Sequence, residues 1–128
     1  MSLRPGSTVH LCLPNTTEYY FPVFASWLCG AVASVADPSL PASVTAIQLG
    51  ETDASVVFCV KNNVEKVKEA VDKCGREVHV VIVATEETEA DKDGSVYDFG
   101  ALVKEAEELE DIPAEINATY DAQVINKE

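Results

Sequence analysis

Positive charge is scarce in this sequence. Nine Lys plus Arg stand against 22 Asp plus Glu in 128 residues, giving a net charge of -13. Phosphate backbones and anionic lipid repel such a chain, which argues against nucleic-acid binding and against electrostatic attachment to a membrane surface. Glycine is sparse as well. The six glycines lie at positions 6, 30, 50, 75, 94 and 100, no two close enough to form G-x-G. A dinucleotide fingerprint and a Walker-type phosphate loop are therefore both missing. The four cysteines, Cys12, Cys29, Cys59 and Cys74, form no C-x-x-C pair, so neither a zinc motif nor a thioredoxin motif is present. Each sits in an apolar pattern, where unpaired buried cysteine is usually found, and a reducing intracellular compartment is the simplest expectation. No apolar run is long enough to span a bilayer, and no charged-then-apolar leader is visible. The last residues, Asn126-Lys127-Glu128, are not a peroxisomal signal, and cytoplasm and peroxisome both stay open.

What is present fits a globular protein. Hydrophobic residues make up 47% of the chain, and this length can bury roughly two-thirds of the unfolded surface in one domain. The acid is unevenly placed. Eleven of the 22 carboxylates fall between Glu86 and Asp111, with only Lys92 and Lys104 among them. Such a run could hold a cation or a basic partner, but charge runs usually form a solvated loop and helix face, which is the expectation here. Asn15-Thr16-Thr17 and Asn117-Ala118-Thr119 match the glycosylation acceptor pattern. Chance accounts for both, the first reading as a buried helix start.

Strand and helix patterns alternate along the chain. Thr8 to Leu13 reads as a strand buried on both faces, bounded by Pro14. Asn15 is placed to cap a helix, with Glu18 three residues later as the capping-box partner. That helix runs to about Cys29 and stops at Gly30. Pro22 should kink it or delay its regular part. Val32 to Ala36 is a second strand. Pro41 opens a helix to about Glu51, with Val44, Ile47 and Leu49 as its apolar face. Ala54 to Val60 is a third strand. Asn62-Asn63 then caps a helix whose Val64, Val67, Val71 and Cys74 share one face, ended by Gly75. His79 to Val83 is a fourth strand. Thr85 to Gly94 reads as an acidic loop, Ser95 to Phe99 as a short extended piece, and Phe99 to Leu109 as a helix. Residues 112–128 carry a weak pattern. The rhythm predicts an α/β fold in three layers, a mainly parallel sheet with helices on both faces, of Rossmann or flavodoxin-like type.

Ligands of such sheets bind at the carboxyl ends of strands. After the first strand, Thr16 and Thr17 at a helix N-terminus could hold a phosphate as in a flavin site, or form a plain helix cap. The third strand ends in Val60-Lys61-Asn62, which lacks the aspartate a response regulator needs. His10 and Cys12 share a strand face and could begin a metal site, but no further ligand is near in sequence, and core packing is expected. His79 has no Ser, Cys or Asp partner that the pattern places beside it. Tyr19, Tyr20, Phe21, Phe24 and Trp27 could line a pocket for an aromatic acid, and core packing is again the expectation. No catalytic, cofactor-binding or metal-binding residue can be assigned from the pattern.

The opening run Arg4-Pro5-Gly6-Ser7-Thr8-Val9-His10-Leu11-Cys12-Leu13-Pro14-Asn15-Thr16-Thr17-Glu18 resembles the start of the amino-terminal domain of acyl-CoA synthetases of the 4-coumarate–CoA ligase and beetle luciferase type. Cys29-Gly30-Ala31-Val32 is similar to that family's Ala-Gly-Ala-Val helix end. Asp37-Pro38-Ser39-Leu40 sits where family members carry Asn-Pro and a small residue. Gln48-Leu49 and Asp53-Ala54-Ser55-Val56-Val57-Phe58 are similar to its second-helix-to-third-strand segment. Pro41-Ala42-Ser43-Val44 departs from the usual Thr-Pro-Glu-Glu. Since the match starts at Arg4, residues 1–3 read as an added leader. The resemblance implies a parent ligase that adenylates a carboxylic acid with ATP and Mg2+ and passes the acyl group to coenzyme A. The family's phosphate loop ending Pro-Lys-Gly, and its later aspartate, arginine and lysine motifs, have no counterpart here. The chain is thus expected to be an inactive scaffold fragment. Its partners would be the remainder of the ligase, or further copies in a homo-oligomer or segment-swapped form. The alternative is a free-standing flavodoxin-like module that binds a cofactor or partner without catalysis.

Overall fold

A computed structural model describes residues 3–15, 19–83 and 96–107. The elements run β1 (Thr8–Cys12), α1 (Tyr20–Leu28), β2 (Val32–Val35), α2 (Ala42–Glu51), β3 (Ala54–Cys59), a 3-10 turn (Lys61–Asn63), α3 (Val64–Cys74), β4 (His79–Ile82), β5 (Val96–Asp98) and α4 (Phe99–Glu107). The strands form one sheet in the order β2-β1-β3-β4-β5. Every adjacent pair is parallel, as the continuous apolar strands predict.

All five residues of β1 are buried, because its neighbours cover both edges and helices cover both faces. Side chains alternate across the sheet. Cys12, Val57, Cys59, Val80 and Ile82 point to one side and pack with Ala42, Ala46 and Leu49 of α2 and Val67 and Ala70 of α3. Val9, Leu11 and Val83 point to the other side, with Val23 of α1 and the partly buried Phe58 and Phe99. Leu3 joins this second cluster. The three-layer expectation therefore holds.

Helix α1 starts at Tyr20, later than the Asn15 cap predicts, and Asn15 itself is exposed. Pro22 explains the delay: as the third helical residue it sits where no N–H has an intrahelical acceptor. Asn15 is therefore no buried helix start, and Glu18 lies outside the described residues. At the other end Cys29 N donates to Ala25 O (3.1 Å) and Ala31 N to Ser26 O (2.8 Å), around Gly30 at φ 69°. That left-handed residue turns the chain into β2.

Two further expectations are corrected. Pro41 precedes α2 as its N-cap, with ψ 156°. The buried face of α2 is Ala42, Thr45, Ala46 and Leu49, spaced three, one and three apart, whereas Ile47 is exposed. Small residues make that face because the sheet and α3 approach closely. In α3, Val67 and Ala70 are fully buried, Val64, Val71 and Cys74 flank them, and Gly75 ends the helix at φ 67°, ψ 19°. The acidic loop at 85–94 and the stretch 112–128 lie outside the described residues.

Candidate functional site

In this strand order, chain connections leave β1 toward β2 on one side, while β3 lies on the other. The carboxyl ends of β1 and β3 thus flank the switch point where open α/β sheets bind ligands. One side chain crosses that point. Asn63 Nδ2 donates to the Cys12 carbonyl at 3.2 Å, and its Oδ1 accepts from Val60 N–H at 3.0 Å. The same amide lies 3.8 Å from Cys12 Sγ. Asn63 makes no side-chain cap to α3. Its residue type suits capping and strand-tying equally, and the fold uses the second.

Around this tie, Asp37 Oδ1 accepts from Ser39 N (2.8 Å) and Ser39 Oγ (2.6 Å) in the loop after β2. These bonds hold the Asp37 carboxyl below its ordinary pKa, with a smaller contribution from Lys66. Lys66 Nζ reaches from α3 to the Pro38 carbonyl. Burial pushes the Cys12 thiol up, opposed by Lys66 and reinforced by Asp37. Cys59 is the register partner of Cys12, and burial drives its thiol to about 12. Neither sulfur is a thiolate near neutral pH, so neither is a nucleophile. The arrangement holds strand ends together, and it supplies no base, nucleophile or anion cradle.

His10 is almost fully buried, 1% exposed. Its Nδ1 lies 3.2 Å from Ser34 Oγ on β2. Its Nε2, and Oε1 of Gln48, are buried without a hydrogen-bond partner. Desolvation lowers the His10 pKa to about 4, so the ring is neutral at pH 7. A right-handed crossover from β2 to β3 carries α2 over β1, which seals His10 from solvent.

The residues singled out from the sequence do not converge. Thr16 and Thr17 lie outside the described residues. His10 and Cys12 pack in the core as expected. No group of three His, Cys, Asp or Glu among the described residues is placed to hold a metal ion. His79 stacks edge-on against Tyr97 at 5.8 Å. Most of the acidic run lies outside the described residues. Within it, Asp98 is buried and accepts from Ala101 N (2.9 Å) at the start of α4, while Glu105 and Glu107 are exposed. Cys29 is exposed, against the expectation that all four cysteines are buried.

The largest correction concerns α1. Its aromatic residues are not core. Tyr20, Phe21, Phe24, Trp27 and Leu28 are exposed, and only Pro22, Val23 and Ser26 face inward. Among the described residues the sheet covers one side of this helix and nothing covers the other. The rings form a row rather than a pocket: Tyr20 and Phe24 stack at 6.5 Å, and Phe24 and Trp27 meet edge-on at 5.5 Å.

Comparison with known proteins adds what geometry alone does not. A family model described as AMP-binding enzyme matches residues 1–120. The chain is 29% identical over 69 residues to 4-coumarate–CoA ligase 1 of Petroselinum crispum, covering 54% of this chain and 13% of that protein. Among solved structures it is similar to an acyl-CoA synthetase from Brucella canis, with a TM-score of 0.68 and 23% identity, covering 80% of this chain and 18% of that one. It is also similar to the luciferase-like enzyme of the nonluminescent mealworm Zophobas morio, with a TM-score of 0.67 and 14% identity, covering 78% and 22%. At these identities the structural likeness establishes the fold. The chain spans only 13% of the curated relative's length.

Proposed function

The chain belongs to the AMP-binding enzyme family, and on that footing we propose that it is a scaffold piece of an ATP-dependent carboxylic acid–CoA ligase. In the whole ligase a carboxylic acid would be adenylated with ATP and Mg2+, and the acyl group would then pass to coenzyme A. The observation that carries the scaffold reading is the carboxyl edge of the sheet. Asn63 ties β1 to β3 across the switch point, and the thiols beside it are held protonated. The described residues do not fit ATP or Mg2+, since they offer neither a phosphate-cradling glycine loop nor a carboxylate cluster. No step of the reaction is assigned to them. Their part would be to supply parallel strands and helix ends on which the rest of the ligase, its partner in this reading, is built.

The strand order β2-β1-β3-β4-β5 is also that of flavodoxin-like proteins. It favours a second reading, a small module that binds a cofactor or a partner without catalysis. The Asn63 tie argues against a flavin at the switch point.

Acid-dependent ATP–pyrophosphate exchange tests the first reading. The chain by itself is expected to show none with aromatic, medium-chain or long-chain acids. A longer reading frame that contains it and continues into a Ser/Thr/Gly-rich stretch ending Pro-Lys-Gly is expected to show exchange. Exchange by the 128-residue chain alone would overturn the scaffold reading. Flavin fluorescence that copurifies with the chain would replace it with the second.

A further inference from the structure

We propose that two copies of this chain associate through the outer face of α1. Five large apolar side chains lie along that face: Tyr20 is 59% exposed, Phe21 60%, Phe24 55%, Trp27 37% and Leu28 57%. Exposed apolar rows of this kind mark contact surfaces, because scattered single residues are normal and contiguous patches are not. Val35, also 60% exposed, adds to the same side of the sheet from the edge strand β2.

Charge selects the occupant. The net charge of -13 makes copies of this chain repel one another. Alone among the described helices, α1 contains no Asp, Glu, Lys or Arg. It is where two copies can meet without setting like charges together. Phe24 is the middle residue of the helix, so a two-fold axis there makes the row self-complementary. The rings already hold one another in stacked and edge-on contacts, so little side-chain freedom is lost on docking.

The area is sufficient. With about 200 Å² per aromatic side chain, the exposed row offers about 500 Å² per copy. Two copies bury at most about 1,000 Å², the small end of specific interfaces, where weak and transient association is found. A second copy is therefore the partner that charge, symmetry and area agree on.

Sedimentation equilibrium of the whole chain, from roughly 5 to roughly 200 µM, reads this directly, because weak association raises the mean mass with concentration across such a range. Reductant is kept present, since Cys29 is an exposed thiol at the end of α1. A concentration-dependent dimer is expected. It should tighten as salt is raised, because screening weakens the repulsion between copies. Phe24→Glu should raise the dissociation constant at least about tenfold, as for a central aromatic anchor, and Phe24→Gln should weaken it less. Both should keep the far-UV circular dichroism of the parent, Phe24 being exposed. Ile47→Glu, an equally exposed apolar position on α2, should change nothing. A monomer throughout the range overturns the proposal and leaves α1 to a different partner, the remainder of a ligase first. A dimer that survives Phe24→Glu, or that Ile47→Glu breaks, overturns it too.

Discussion

Mild acid should weaken this fold through a single imidazole. His10 is buried between the sheet and α2, and burial brings its pKa to about 4 from an ordinary 6.5. In the unfolded chain the ring titrates normally. Between pH 6.5 and 4 the unfolded state therefore binds a proton that the folded state does not. Stability rises with pH wherever the unfolded state binds more protons, so it must fall as pH drops through this window. The full shift is worth about 3 kcal/mol at 1.36 kcal/mol per unit, and about 2 kcal/mol of it is lost between pH 7 and pH 5. That is a large share of the 5–15 kcal/mol typical of whole domains.

Urea titrations at pH 7 and pH 5, followed by far-UV circular dichroism at one low protein concentration, measure the loss. His10→Gln provides the reference. It keeps a polar group near Ser34 but cannot take up the proton, so its stability should change by about 2 kcal/mol less than the parent's over the same interval. Carboxylates titrate in both proteins and cancel in the difference. An NMR titration should place the midpoint of His10 well below the ordinary imidazole value of 6.5. Equal pH dependence in parent and variant would refute the reasoning, and so would a His10 midpoint near 6.5.

Three other predictions follow from the same structure. Asn63→Ala removes the bonds to Cys12 O and Val60 N and should cost about 2 kcal/mol in urea unfolding; a cost below about 0.5 kcal/mol would show that water replaces both. Gly75→Ala meets no atom within 4 Å, so its expected loss of about 1 kcal/mol comes from left-handed backbone alone, and an unchanged midpoint would mean the turn has rearranged. Cys29 should react promptly with a thiol reagent at pH 8, whereas the fully buried Cys12 and Cys59 should react only on unfolding; prompt labelling of Cys59 would contradict its burial.

The alternation of elements was legible because both periods are strong in this chain. β1 and β3 read as continuous apolar strands, α3 carries its valines at helical spacing, and Gly75 and Pro22 act as their backbone chemistry requires. Burial was less legible where side chains are small. Nothing in the periodicity of α2 favours Ala42, Thr45 and Ala46 over Val44 and Ile47, because the choice depends on how closely α3 and the sheet approach. The exposed aromatics of α1 were missed for a related reason. An apolar helix announces that it needs cover, but its sequence does not say on how many sides the same chain provides it. Asn63 shows a third limit: an asparagine after a strand reads as a helix cap until the neighbouring strand is in place.

The strand order carries a consequence for synthesis on the ribosome. β1 is made before β2 and β3, yet it lies between them. Its pairs with β2 and β3 all involve residues that precede Val60. Once that residue has emerged, three parallel strands and two helices are available together, and nothing later in the chain is needed to complete their pairing. The nascent chain can therefore lay down the centre of its sheet while β4 and β5 are still being made. These two then add outward onto the finished edge of β3. Long-range parallel pairing is slow because distant segments must find one another, and translation toward the carboxyl terminus shortens that search by delivering β1 before the two strands that flank it.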